Sequence, residues 1–281
     1  MYLKLYDKIA KNYQKGFKLK LFAVFGNPIK HSKSPLMHNN AFMNLNIDAR
    51  YIKILLEDGK KLKEVFKKLQ LSGANVTVPF KENAYELADE IRGVAKEIGA
   101  INTLVLENDK LIGYNTDADG FLKAIDCFNA KEILILGAGG TSKAISTILS
   151  QNDFNITVLN RSDSRLEYFK DKNFNAKNWN ELDNFEFDLV VNTTSAGLND
   201  DNLPAPKEIL EKLFKNAKFA FDCIYKETEF LKLAKKSDLK VKNGSDMLLY
   251  QGVIAFDIFT KNEFSQDKIA KYMREALENF R

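Results

Sequence analysis

Cysteine and histidine are nearly absent from this chain. Cys127 and Cys223, two cysteines in 281 residues, are too few and too isolated for a disulfide framework. The two histidines, His31 and His38, cannot complete a zinc site with them at any usual spacing. No metal is therefore expected, and a reduced cytoplasmic setting is the default. Long apolar runs are missing too: "ILILGAGG" and "MLLYQGVIAFDIF" are too short or too interrupted to span a bilayer. The first twenty residues carry six lysines, one aspartate and no apolar block, which does not read as a secretory leader. That basic start holds +5 against a net of +4, leaving −1 for the remainder. A folded body of that charge gives no sign of nucleic-acid binding. Internal repeats and low-complexity linkers are absent as well.

What is present is a globular composition, 45% hydrophobic and 28% charged, long enough for two domains with real cores. Strand and helix patterns alternate from residue 20. "LKLFAVFG", "RYIKILL" and "GANVTVP" read as strands, with helices over 35–46 and 58–69 between them. "AINTLVLEN" and "KLIGYNT" read as a strand pair, and a helix over 117–128 leads into the strand–turn–helix "EILILGAGGTSKA". "NITVLN", "FDLVVNTT" and "KFAFDCIY" supply further strands. The end, 245–280, is helical, with Ile269, Tyr272, Met273, Ala276 and Leu277 on one buried face. Such alternation implies an α/β fold of mostly parallel sheets with helices on their faces. The break falls near 117–130. Residues 1–19 carry Tyr6, Ile9, Ala10, Tyr13 and Phe17 near helical spacing. They read as an upstream segment of little role, with a short basic helix as the alternative.

In "ILILGAGGTSKAI", Gly137, Gly139 and Gly140 follow a buried strand and open a helix. Glycines there permit a tight turn and the approach of a phosphate to the helix N-terminus. Ser142 stands where the dinucleotide fingerprint has its third Gly or Ala, and a plain glycine turn is the other reading. The P-loop alternative lacks its Gly-Lys-Ser/Thr ending. At the end of the next strand, where an NAD-binding fold carries an acidic residue, stand Asn160, Arg161 and Ser162, with Arg165 beyond. A carboxylate would repel a 2′-phosphate, whereas Arg161 would pair with one. A charge-assisted bond of about 1.5–3 kcal/mol corresponds to a preference of roughly tens- to hundreds-fold for NADP. The alternative is an exposed arginine on a loop.

In "GNPIKHSKSPLMHNNAF", Ser34 reads as an N-cap with Pro35 at the first helical position. In an extended segment Ser32 and Ser34 point to one side, giving two hydroxyl donors for a carboxylate. His38 reads as a helix-surface or packing residue, and His31 is undecided. In "NVTVPFK", Val76 and Val78 alternate with Asn75 and Thr77 as a strand with one polar face. Pro79 ends it, and Lys81 follows on a stiff corner. Asn102 falls at a strand start, and Asn115, Thr116 and Asp117 at a helix start where each can also serve as a cap. Gln251 lies on a helix. These hydroxyl, amide and charged groups sit at strand ends, where open sheets place ligands, and suit a small ligand rich in hydroxyls.

Taken in order, "GNPIKHSKSPLMHN", "NVTVPFKE", "GAINTL", "GYNTDADGF", "GAGGTSKA", "NRS", "FDCIY" and "DMLLYQG" resemble the shikimate dehydrogenase family over residues 21–281. The resemblance implies NADPH-dependent reduction of 3-dehydroshikimate to shikimate, in aromatic amino-acid biosynthesis. It implies a substrate domain, 20–118 with 246–281 returning to it, and a Rossmann-like NADP domain, 119–245. Ser32 and Ser34 would bind the substrate carboxylate. Thr77, Lys81, Asn102, Asp117 and Gln251 would bind its ring oxygens, with Tyr225 also at the substrate. The cofactor would meet Gly137, Ala138, Gly139, Gly140, Thr141 and Ser142, then Asn160, Arg161, Ser162 and Arg165. It would also meet Thr194, Ser195 and Ile224, with Gly244 near the nicotinamide. The chain departs from the family in Ser162, where Thr is usual, and in lacking a proline after Tyr225. Residues 1–19 have no counterpart.

Hydride transfer to a ketone leaves an alkoxide that needs a proton. Lys81 is expected to supply it, with Asp117 holding the ammonium charged and in place. In the reverse direction Lys81 takes the proton, so oxidation should speed up as pH rises. A surface ion pair of little energetic weight is the alternative. Two rivals stand beside this reading: a quinate/shikimate dehydrogenase using NAD or NADP, and a non-catalytic NADP-binding regulatory protein on the same fold. A monomer or a homodimer is expected.

Overall fold

The computed structural model describes residues 19–279. The reading of the basic extension falls outside them, Leu19 apart. Within that range the chain forms two six-stranded sheets. The first contains β1 (Lys20–Gly26), β2 (Ala49–Leu55), β3 (Gly73–Val76), β4 (Glu90–Ile91), β5 (Thr103–Glu107) and β6 (Lys110–Tyr114), ordered β2-β1-β3-β5-β6-β4. β1 runs parallel to β2 and β3, while β5 is antiparallel to both β3 and β6. Its connections carry helices α1 (Ser34–Asn44), α2 (Leu62–Lys68), α3 (Lys81–Leu87) and α4 (Ala95–Ile98), and α5 (Thr116–Ile125) leads away from it.

The second sheet is wholly parallel: β7 (Glu132–Leu136), β8 (Asn155–Asn160), β9 (Asn175–Asn178), β10 (Leu189–Asn192), β11 (Phe219–Asp222) and β12 (Lys240–Asn243), ordered β12-β11-β10-β7-β8-β9. Helices α6 (Gly140–Ser150), α7 (Glu167–Asp171), α8 (Lys207–Phe214) and α9 (Glu229–Lys236) connect its strands. The order reverses between β7 and β10, which is where such sheets open a crevice for a ligand. This is the expected two-part α/β architecture with a Rossmann-like second half.

The last helices, α10 (Ser245–Phe259) and α11 (Gln266–Asn279), return to the first sheet. There Phe22 packs on Phe42 at 5.3 Å and on Phe259 at 4.8 Å, with Phe256 and Met273 in the same core. Each such buried side chain contributes about 1.5–3 kcal/mol. The opposite face is filled by Phe25, Leu62, Phe66 and Ala84. Ile269, Met273 and Ala276 are buried as their spacing predicts, and Tyr272 and Leu277 partly so.

Several local expectations are corrected. The strand over "GANVTVP" stops at Val76, and all four residues of β3 are buried. Helices cover both faces, so Asn75 does not face solvent; Val78, outside the sheet, is 62% exposed. The helix over 58–69 opens as a 3-10 turn, Gly59–Lys61. The helical end is interrupted between Phe259 and Gln266. β4, β9 and β12 were not anticipated; they are short, polar edge segments whose pattern is set by their neighbours.

Candidate active site

The first sheet delivers four segments to one edge. β1 and β3 end there, and β5, being antiparallel, begins there. β6 ends there too, so Asn75, Thr103 and Tyr114 lie side by side. Val76 N donates to Asn102 O at 2.8 Å, and Asn102 N donates to Tyr114 O at 3.1 Å. The loops that leave this edge carry Ser32, Thr77, Asn102 and Asn115.

Lys81 does follow a corner, but the corner begins at Thr77 and not at Pro79. Thr77 N donates to Phe25 O at 2.8 Å and Phe80 N to Thr77 O at 3.0 Å, which folds residues 77–80 into a turn. Lys81 then opens α3. A cation at a helix N-terminus is unfavourably placed by about 0.3–1 kcal/mol, so the position calls for a carboxylate partner. Asp117 provides it: Lys81 Nζ donates to Asp117 Oδ2 at 2.6 Å. The side chains remain 29% and 17% exposed, so the pair is open to a ligand. Asp117 is held in turn by the cap of α5, where Asn115 Oδ1 accepts from Asp117 N at 3.2 Å and Ala118 N at 3.3 Å. Asn115 Nδ2 ties the same turn to Ala100 O at 3.0 Å.

Ser32 and Ser34 do come together, with Ser32 Oγ donating to Ser34 Oγ at 3.3 Å. The cause is not strand alternation, because Lys33 between them is helical (φ −90°, ψ −5°) and is itself the cap residue of α1. Ser34 is the first helical residue and makes no side-chain cap bond. Thr77 packs so closely on β1 that a Cβ at Gly26 would stand 2.5 Å from Thr77 Cγ2. Gln251 is brought in by a helix crossing: a Cβ at Gly120 of α5 would stand 2.7 Å from Gln251 N on α10.

Asn102 sits in a buried polar cluster. Its Oδ1 accepts from Thr116 N at 2.7 Å and Thr103 Oγ1 at 3.0 Å, and its Nδ2 donates to Thr116 Oγ1 at 3.1 Å. Behind it Asn75 Nδ2 donates to Thr103 Oγ1 at 2.9 Å, and Tyr51 Oη donates to Asn75 Oδ1 at 2.6 Å. Asn75, Thr103 and Tyr51 escaped the sequence reading. The only signal was a polar Asn75 between apolar strand residues, which looked like the solvent face. His38 is a packing residue, stacked on Tyr51 with centroids 4.3 Å apart.

The second sheet presents the carboxyl ends of its strands. Gly137 has φ +102°, and a Cβ there would stand 2.8 Å from Thr194 Cγ2, so only glycine serves this turn. By contrast, Cβ atoms at Gly139 and Gly140 would meet no atom within 4 Å. The space in front of α6 is open, and the missing side chains leave room for a phosphate to reach backbone N–H groups. Ala138 and Ser142 are buried and Thr141 is partly exposed; Ser142 thus faces the interior of the unit. Arg161, Ser162 and Arg165 are exposed beyond β8, and Asn160 Nδ2 donates to Ser162 O at 2.9 Å. Among the described residues neither arginine forms an ion pair. The set fits a dinucleotide carrying a 2′-phosphate.

Thr194 is fixed by buried Asn192, whose Oδ1 accepts from its N at 2.9 Å and its Oγ1 at 2.8 Å, and Ser195 follows in the same loop. Asp222 is fully buried; it accepts from Ile224 N at 2.9 Å and Thr228 Oγ1 at 2.6 Å. Burial raises its carboxyl above the usual range, with the two bonds opposing. This strap shapes the loop of Ile224 and Tyr225. A Cβ at Gly244 would stand 2.2 Å from Cys223 O, so the turn after β12 also needs its glycine.

The two edges face each other. Lys33 Nζ lies 5.8 Å from the centre of the Tyr225 ring, across the cleft. Cys223 feels charges from both sides: burial pushes its thiol up, Asp222 and Asp117 add to that, and Lys81 opposes it. Ser32, Ser34, Thr77, Lys81, Asn102 and Asp117 thus gather at the edge of the first sheet, and Gly137, Thr194, Ile224 and Gly244 at the strand ends of the second.

Residues 24–104 match the family described as shikimate dehydrogenase substrate binding domain, and residues 121–222 match shikimate / quinate 5-dehydrogenase. A shikimate dehydrogenase (NADP(+)) of Helicobacter hepaticus is 45% identical over 267 residues, covering 92% of this chain and all of that one. The chain belongs to the shikimate dehydrogenase family. Crystal structures agree. The shikimate dehydrogenase of Aquifex aeolicus superposes with a TM-score of 0.82 at 35% identity, over 93% of this chain and 100% of that one. The Thermus thermophilus enzyme, solved with NADP(H) and shikimate, gives 0.79 at 33%, over 92% and 99%.

Proposed function

We infer that the protein catalyses the reversible NADPH-dependent reduction of 3-dehydroshikimate to shikimate, in aromatic amino-acid biosynthesis. The observation that carries this reading is the Lys81–Asp117 pair, 2.6 Å apart and accessible, on the wall opposite the glycine turn. NADPH supplies the hydride. Lys81 donates a proton to the carbonyl oxygen as negative charge develops there, and Asp117 orients the ammonium. Ser32 and Ser34 bind the substrate carboxylate, while Thr77, Asn102, Gln251 and Tyr225 hold the ring oxygens. Open space at Gly139 and Gly140, together with backbone N–H groups up to Ser142, suits the pyrophosphate. Arg161, with Asn160, Ser162 and Arg165, takes the 2′-phosphate. Thr194, Ser195, Ile224 and Gly244 line the nicotinamide end.

We divide the chain into a substrate domain, 20–118 with 246–281, and an NADP domain, 119–245. Both walls come from one chain, so a monomer or a homodimer serves equally as the working unit. The reading takes the protein as cytoplasmic, which two free cysteines support. No helix among the described residues is long and apolar enough to cross a membrane.

The test is NADP reduction by the purified protein with shikimate, with quinate and NAD run in parallel. Turnover with shikimate and NADP alone is expected. Comparable turnover with quinate or NAD would move the protein to the broader-specificity reading. NADP binding without any turnover would overturn the catalytic one.

A further inference from the structure

Tyr51 is 2% exposed and lies beneath the substrate wall, not in it. The fold grips it from several sides. Asn39 of α1 accepts from Tyr51 N and donates to Tyr51 O, both at 2.9 Å. His38 stacks on its ring with planes 8° apart. Core packing alone would be served by phenylalanine, because burying a hydroxyl is costly unless it is bonded. Here the hydroxyl donates to Asn75 Oδ1 at 2.6 Å. Ser34 stands beside the same hydroxyl.

Donor and acceptor capacity then fixes a direction along the cluster. Asn102 O can only accept, so the Asn75 amide turns its NH2 toward it and Thr103 Oγ1, at 3.2 and 2.9 Å, and its Oδ1 toward the Tyr51 hydroxyl. Thr103, having accepted, donates onward to Asn102 Oδ1 at 3.0 Å. Asn102 Oδ1 also accepts from Thr116 N at 2.7 Å, so its NH2 is the group left to project. One of those protons goes to Thr116 Oγ1 at 3.1 Å, and the other remains for a ligand oxygen. Remove the first donor and buried Asn75 Oδ1 loses its partner, which loosens the Thr103 side of the clamp on Asn102 while Thr116 N still holds the other side.

We propose that Tyr51 is a positioning residue: its buried hydroxyl, acting through Asn75 and Thr103, braces Asn102, which Thr116 N orients, for donation to a ring hydroxyl of the substrate. The proposal rests on the shikimate reading above.

The experiment compares wild type with Tyr51→Phe, which keeps the ring and its stack on His38. Loosening one of the bonds that hold Asn102 Oδ1, worth a net hydrogen bond, corresponds to about a two- to tenfold change. The expected result is a rise of that order in KM for shikimate, with a smaller change in kcat and the KM for NADP unchanged. Deoxy analogues of shikimate sharpen the test. Preference for shikimate over the analogue lacking the hydroxyl that Asn102 binds should shrink in Tyr51→Phe, whereas a merely structural role would lower both substrates together. An unchanged shikimate KM overturns the proposal, and so does a parallel loss for shikimate, analogues and NADP. If Tyr51→Phe does not fold, Asn75→Ser removes the next link and is read by the same constants. Wild type without shikimate turnover fails the functional reading and this inference with it. Active wild type with a normal Tyr51→Phe fails the inference alone.

Discussion

Lys81 Nζ lies 2.6 Å from Asp117 Oδ2, although the two residues open different helices that leave different strands. The sheet brings these helix starts to one edge, and the cap at Asn115 fixes the carboxylate. A donor held this way loses little freedom on reaching a reacting oxygen. Lys81→Ala should lower kcat by about 10²–10⁴-fold, with a smaller change in shikimate KM. Steady-state kinetics decides it, and near-normal turnover would remove Lys81 from the mechanism.

Arg161 stands exposed past β8 without a protein partner among the described residues. Arg161→Ala should raise KM for NADP roughly ten- to a hundredfold and leave KM for NAD and shikimate nearly unchanged. Parallel loss for both cofactors would point to a damaged fold instead.

Burial holds the His38 imidazole down at about 3, from an ordinary 6.5, and neither ring nitrogen has a hydrogen-bond partner. Between those two values the unfolded chain binds a proton that the folded one refuses, so stability falls as pH falls from about 6.5 toward 3. From pH 7 to pH 5 this residue should account for about 2 kcal/mol of lost stability. His38→Phe keeps an aromatic ring against Tyr51 and removes the titration. Urea unfolding at both pH values should show a shallower drop in the variant. Equal drops would mean that His38 is not the group responsible.

Gly120 lets α5 and α10 touch at backbone distance, where a Cβ would meet Gln251 N at 2.7 Å and Gln251 Cα at 2.9 Å. Gly120→Ala should push α10 outward, cost about 1–3 kcal/mol in unfolding free energy and raise shikimate KM by displacing Gln251. Unfolding curves and kinetics together test this, and a variant normal in both would show that the crossing yields freely.

Much of this was legible in the residues, for physical reasons. The β7–α6 unit announces itself because a buried parallel strand, a positive-φ glycine and an amphipathic helix are each local features. Ser32, Lys81 and Asp117 stood out as candidates because polar groups next to turn signals are conspicuous. Asn75 and Tyr51 were not, since a polar strand residue looks the same whether its face meets water or a covered network. The strand before Lys81 was carried too far because alternation through Val78 hid the turn that begins at Thr77. Ser34 passed for a cap because Ser followed by Pro is a cap signature, and only the helical backbone of Lys33 shows where α1 starts.

Helix α5 has a double allegiance. Its first turn is bonded into the first sheet through Thr116 N and the Asn115 amide. One turn later Phe121 meets Phe221 of the second sheet edge-on, with centroids 5.1 Å apart and planes at 82°. The helix therefore behaves as a beam whose near end is built into one wall and whose far end carries the other. A tilt of the second sheet about the far end would leave the Lys81–Asp117 pair and Asn102 in their places, because their bonds lie at the near end. The Lys81–Asp117 pair therefore belongs wholly to the near end of the beam.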